Sequence, residues 1–95
     1  MKAIKFLTET LRSIGTFELS KSSEWYGTLL DGDYCLNWWH NTKANKIELH
    51  LFTPLPECAL DYNQKQNLLV ERFKKSKLVE RIVRIGACRI DVYLK

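Results

Sequence analysis

Residues 24–52 read EWYGTLLDGDYCLNWWHNTKANKIELHLF, and this stretch decides the fold class. Glu24–Leu30 and Asp33–His40 are rich in aromatic and β-forming side chains, and Asp31-Gly32 lies between them. Asp-Gly between two such runs favours a tight type I′ hairpin, because both central residues of that turn need positive φ. A polar turn over Asn41–Asn45 leads into Lys46–Phe52, where Ile47, Leu49 and Leu51 alternate with Lys46, Glu48 and His50. Such alternation describes a strand with one face in the core and one in water. Three consecutive antiparallel strands are expected.

On the N-terminal side, Ile4, Leu7, Leu11 and Ile14 recur at helical spacing and Gly15 follows as a stop, which predicts a helix over residues 2–14. Residues 18–23, rich in Ser and Lys, read as a polar loop. On the C-terminal side, Pro54 and Pro56 end the meander, and Asp61 with Gln64 resembles a capping box opening a second helix. Tyr62, Leu69 and Phe73 can share the buried face of that helix. Continued straight, it would carry Leu78, Val79, Ile82 and Val83 round to the opposite side, so a break is expected near Ser76. Beyond the break, the β-branched Val79, Ile82, Val83 and Ile85 favour a strand, although their spacing also fits a short helix. Gly86-Ala87 suits a II′ turn, and Cys88, Ile90, Val92 and Leu94 alternate with Arg89, Asp91 and Tyr93 as a last strand.

The expected architecture is a single α+β domain over residues 1–95 in the order α-β-β-β-α-β-β. A three-stranded meander and a C-terminal hairpin form an antiparallel sheet, with two helices on one face and the other face open. A chain of this size buries roughly 60–65% of the surface exposed on unfolding, enough for one core. The 45% hydrophobic and 27% charged composition excludes a disordered chain. No segment approaches the roughly 20 apolar residues of a membrane span. Lys5, Thr8 and Glu9 interrupt the apolar residues near the N-terminus, against a signal peptide. A cytoplasmic protein with no membrane partner is expected. Cys35, Cys58 and Cys88, odd in number and without a CxxC pair, fit a reducing compartment and read as small buried hydrophobes.

Catalytic and metal chemistry find little support. Cys35, His40, His50 and Cys58 are zinc-binding residue types, but Cys35 and His40 lie five apart on one strand and so point to opposite faces. Gly15, Gly27, Gly32 and Gly86 are isolated, unlike a phosphate-binding loop. Asp31 and Asp33 are explained by the hairpin tip, and Glu48, Glu57, Asp61 and Glu71 form no recognisable acid pair. No Cys-His spacing predicts an activated thiol. The expectation is a non-enzyme with no metal and no cofactor.

Two surface features remain. Residues 72–95 carry Arg72, Lys74, Lys75, Lys77, Arg81, Arg84, Arg89 and Lys95 against Glu80 and Asp91, a net +6, whereas residues 1–71 sum to −2. The basic residues from Arg72 to Arg89 suit contact with nucleic acid or a nucleoprotein, the first functional reading. Trp25, Tyr26, Tyr34, Trp38, Trp39 and Phe52 lie on the meander, and alternation turns one member of each adjacent pair away from the core. Such aromatics are favoured binding anchors. They suit the second reading, a protein-binding inhibitor or adaptor of the kind phages and mobile elements direct at a host enzyme or defence complex.

Overall fold

The computed structural model describes residues 3–11, 18–22, 25–31, 34–52, 62–86 and 88–95. The elements are α1 (Ala3–Leu11), β1 (Glu18–Ser22), β2 (Tyr26–Asp31), β3 (Tyr34–Asn41), β4 (Lys46–Phe52), α2 (Tyr62–Lys74), β5 (Val79–Ile85) and β6 (Arg89–Leu94). The six strands form one antiparallel sheet in the order β1-β2-β3-β4-β6-β5. The α+β class, the meander, the C-terminal hairpin and the two helices on one face all stand.

Three local expectations are corrected. Residues 18–22 form a strand, with Glu18 opposite Leu30 and Ser22 opposite Gly27. Their composition is that of a loop, but the free edge of β2 supplies the backbone partners that make a strand. Asp31 belongs to β2 and pairs with Tyr34, so it is not a central residue of the turn. Ile85 pairs with Arg89, which leaves three residues in the last hairpin loop where a two-residue II′ turn was expected, and Cys88 lies in the turn. Gly86 has φ 68, the left-handed conformation that glycine adopts without a Cβ clash. Gly15, Gly32, Pro54, Pro56, Cys58 and the Asp61 cap lie outside the described residues.

The register defines two faces, since directly opposed residues share a side. On the core face, Leu29 meets Leu36, Leu36 meets Leu51, Trp38 meets Leu49, and Leu49 meets Ile90. Ile47 and Val92 extend the same layer, and Val79 and Ile82 of β5 pack at its margin. Helix α1 adds Phe6, Leu7 and Leu11, and α2 adds Leu69, Val70 and Phe73, with Tyr62 partly buried beside them. The Phe6 and Phe73 rings lie 6.0 Å apart, tilted by 44°. Arg72 Nε donates to the Thr10 carbonyl at 2.7 Å, satisfying an orphan acceptor at the end of α1 and joining the two helices.

Two polar contacts fix how the elements are joined. Gln66, buried in α2, donates through Nε2 to the carbonyls of Gly86 (3.4 Å) and Arg89 (3.3 Å), tying the helix to the β5-β6 turn. At the β3-β4 turn, the Ala44 amide donates to Asn41 Oδ1, and Asn45 takes φ 51, a region Asn tolerates better than most residues. Asn45 Nδ2 donates to the Leu94 carbonyl at 3.1 Å, so this turn also holds the end of β6. After Lys74 the helix closes through Lys75 and Ser76 amides donating to Arg72 and Phe73 carbonyls, and β5 begins at Val79. The break near Ser76 and the strand reading of the following residues are both as expected.

Phe73→Ala should lower unfolding stability by about 3–4 kcal/mol through lost transfer energy and a cavity between the helices. Leu68→Ala, on the exposed side of the same helix, should change it by less than about 0.5 kcal/mol. Urea unfolding followed by tryptophan fluorescence compares the two.

Candidate functional site

The face of the sheet turned away from the helices is built in rows. Tyr26, Trp39, Glu48, Asp91 and Val83 form one row across β2, β3, β4, β6 and β5. Thr28, Asn37, His50, Arg89 and Ile85 form the next. Leu30, Cys35 and Phe52 lie beyond it on one side, and Asn41, Lys46, Tyr93 and Arg81 on the other. Among the described residues no helix covers this face. Tyr26 (54% exposed), Trp39 (48%) and Phe52 (53%) stand on it in water.

Sequence alternation assigned Glu48 and Asp91 to the wet side of their strands. Both are buried instead, Asp91 to 2% exposure. The register sets these two carboxylates directly opposite each other, an arrangement that is destabilising unless cations intervene. Arg89 supplies one, donating from Nε to Asp91 Oδ1 (2.9 Å) and from Nη2 to Asp91 Oδ2 (3.1 Å) and Glu48 Oε1 (2.7 Å). Lys46 supplies the second, with Nζ 3.1 Å from Asp91 Oδ2. The string continues through Tyr93, whose ring lies beneath Lys46 Nζ at 5.4 Å and beneath the Arg81 guanidinium at 3.9 Å. Burial by itself raises the Asp91 pKa, but hydrogen bonds from Arg89 and Lys46, with their charges, hold the carboxyl below its usual value. The same bonds to Asp91 raise the pKa of both partners.

The aromatic set divides between the faces. Trp38 is buried at 2% exposure in the core, so its assignment as a partner-binding residue is corrected: its register opposite Leu49 points it at the helices. Trp39, its neighbour, takes the outward place. Trp25 is exposed at the end of β2, where with Trp39, His40 and Lys43 it lines an open hollow of about 400 Å³. Tyr34 opens β3 opposite Asp31. Phe52 stands on the same face as Trp39 by the two-residue alternation carried across β3 and β4.

The basic residues do not form one patch. Arg72 is spent on the Thr10 carbonyl, Lys74 pairs with Glu71 at 3.6 Å, and Arg84 donates to Asn67 of α2 on the helix side of the sheet. Arg81 and Arg89 belong to the outer face, where Glu48 and Asp91 balance much of the positive charge. Lys75 and Lys77 are exposed beyond the end of α2. Cys35 and His40 point to opposite faces as alternation requires, and no hydrogen bond joins Cys35 or Cys88 to a histidine among the described residues. No group of three His, Cys, Asp or Glu side chains converges there either. No helix among the described residues is long and apolar enough to cross a membrane.

Acidification should lower stability in two stages. Burial lowers the His40 pKa, with a hydrogen bond to the Asn45 side chain opposing, and Nε2 is buried without a hydrogen-bond partner. The unfolded chain therefore takes up this proton first, and stability falls as pH drops below about 6.5 until the folded imidazole also titrates. The Asp91 contribution is complete above about pH 3.9 and is lost below it, as the pH approaches the lower folded pKa. Urea unfolding against pH should show His40→Gln removing the first stage and Asp91→Asn the second. At neutral pH, Asp91→Ala should cost about 2 kcal/mol, because the cations it binds lose their acceptor. No family model, curated protein or solved structure matches this chain, so any functional reading rests on the chemistry of this face.

Proposed function

We propose that the chain is a non-catalytic binding domain of the inhibitor or adaptor kind, and that its outer sheet face engages a protein partner. The observation that carries this reading is the exposure of Tyr26, Trp39 and Phe52 on one face whose buried ions are already paired with one another. Large aromatic side chains on strands lose little conformational freedom when covered, so they suit anchors in an interface core. The central ion string leaves no unpaired buried carboxylate for a partner to neutralise. It also fixes the strands beneath the aromatics through side-chain bonds between β4 and β6.

Nucleic-acid contact is less well supported by this arrangement. Phosphate recognition rests on a concentrated positive field. Here Arg72, Lys74, Arg84 and Arg89 have internal partners, and the outer face carries Glu48 and Asp91 beside its cations. At the end of α2, Lys75 and Lys77 are the exposed members of the run with no ion pair among the described residues.

Affinity capture from a host lysate should retrieve a partner with the wild-type chain, and Trp39→Ala with Tyr26→Ala should lose it while keeping the wild-type circular dichroism spectrum. The loss expected is at least about tenfold in affinity, since truncating a central Trp or Tyr anchor costs about 2 kcal/mol or more where it is a hot spot. Lys75→Ala with Lys77→Ala should bind as wild type. Labelled single- and double-stranded oligonucleotides, titrated at low and high salt, test the other reading. Salt-sensitive binding that disappears with Lys75 and Lys77 and survives loss of the aromatics would replace the protein-partner reading with nucleic-acid recognition.

A further inference from the structure

β5 is an edge strand, paired on one side with β6 and on the other with nothing among the described residues. An open groove of about 550 Å³ runs between it and α2, lined by Asn67, Val70, Glu71 and Lys74 from the helix. Beside that groove the free edge of β5 presents a row of backbone groups able to pair with another strand.

The sequence of β5, Val79-Glu80-Arg81-Ile82-Val83-Arg84-Ile85, is close to self-complementary about Ile82. Two copies laid antiparallel with Ile82 on the two-fold axis bring Glu80 of each copy opposite Arg84 of the other. In the same register Ile82 faces itself. Glu80 is exposed and has no ion pair within its own chain among the described residues. Arg84 gives one hydrogen bond to Asn67, and a guanidinium has further donors for a carboxylate. Leu78 (51% exposed) and Ile85 (44%) mark the two ends of the strand, where this register places them close to each other across the axis.

We propose that the chain forms a two-fold symmetric dimer by antiparallel pairing of β5 with β5, extending both sheets into one. An isologous contact needs a surface complementary to itself, which the Glu80 and Arg84 positions provide twice. Proteins commonly blunt a free edge with a bulge and with charge, and β5 has both, a register shift between Val79 and Arg81 and two arginines. In this register Arg84 meets an acid, so its charge attracts a second copy while still repelling edges that lack a carboxylate at that place. The bulge leaves Glu80 without a ladder partner on β6 and confines the regular pairing to the residues around Ile82, with Glu80 reaching Arg84 at its margin; so short a ladder makes the dimer reversible and concentration-dependent.

Sedimentation velocity across the micromolar to millimolar range reads the association. Glu80→Arg and Arg84→Glu alone should each weaken dimerisation about tenfold, because two attractive cross-strand pairs become two repulsive ones. The double variant Glu80→Arg with Arg84→Glu exchanges the charges and should restore the wild-type constant. Circular dichroism checks that each variant is folded. A wild-type chain that stays monomeric at millimolar concentration overturns the proposal, as does a dimer in which the double variant is no better than the singles. Dimerisation lost in Trp39→Ala and retained in both charge variants would place the second copy on the outer face and overturn the edge pairing. The converse, a normal dimer in Trp39→Ala that fails to capture a partner, keeps the two surfaces distinct.

Discussion

The pairing of β4 with β6 is the constraint on which the rest of this structure depends. It joins the N-terminal meander to the C-terminal hairpin across more than forty residues of chain, and its register is dictated by the core: Ile47 must meet Val92, and Leu49 must meet Ile90. Because side chains alternate along a strand, that choice forces Glu48 against Asp91 on the other face. A slip of one residue would relieve the carboxylates but turn the apolar set of one strand into water. The apolar requirement dominates, and the acids are accommodated by Arg89 and Lys46.

The outer face follows from that accommodation. A guanidinium bound in a fork to Asp91 and reaching Glu48 holds its side chain in one geometry, and Lys46 and Arg81 are drawn to the Tyr93 ring beside it. The charged centre of the sheet is thereby self-contained, and Tyr26, Trp39 and Phe52 are the large aromatics exposed around it, with Asn37 and His50 between them. A face of this kind offers contact area without a strong field. The positive balance of the C-terminal quarter, conspicuous in the linear sequence, is spread in space over both sides of the sheet and the end of α2.

Much of the architecture was legible because its signals are local. Lys46–Phe52 announces itself through strict alternation, the helix from Tyr62 through Leu69 and Phe73, and the break near Ser76 through the angular position of the residues beyond it. Glu18–Ser22 was not legible, since its polar residues become a strand only against the edge of β2. The ion string left a trace that alternation alone misread. Lys46 and Glu48, like Arg89 and Asp91, are opposite charges two apart on one strand face, the spacing from which a cross-strand network is assembled. The outward turn of one residue in the Trp38-Trp39 pair was predictable, but which one was not, because the choice belongs to the register with Leu49 and Glu48.

By itself the sequence determined the class of fold, the limits of most elements and the presence of an aromatic sheet surface, all consequences of period and turn chemistry acting over a few residues. The tertiary structure alone decided which charges meet. The basic residues from Arg72 to Arg89 are neighbours along the chain, but successive strand residues face opposite ways and the break after α2 redirects the backbone. Arg84 therefore reaches a helix while Arg81 and Arg89 join acids and an aromatic ring on the far side of the sheet. Charge in a sequence adds by position, whereas charge in a fold adds by distance, and only the paired strands supply the distances.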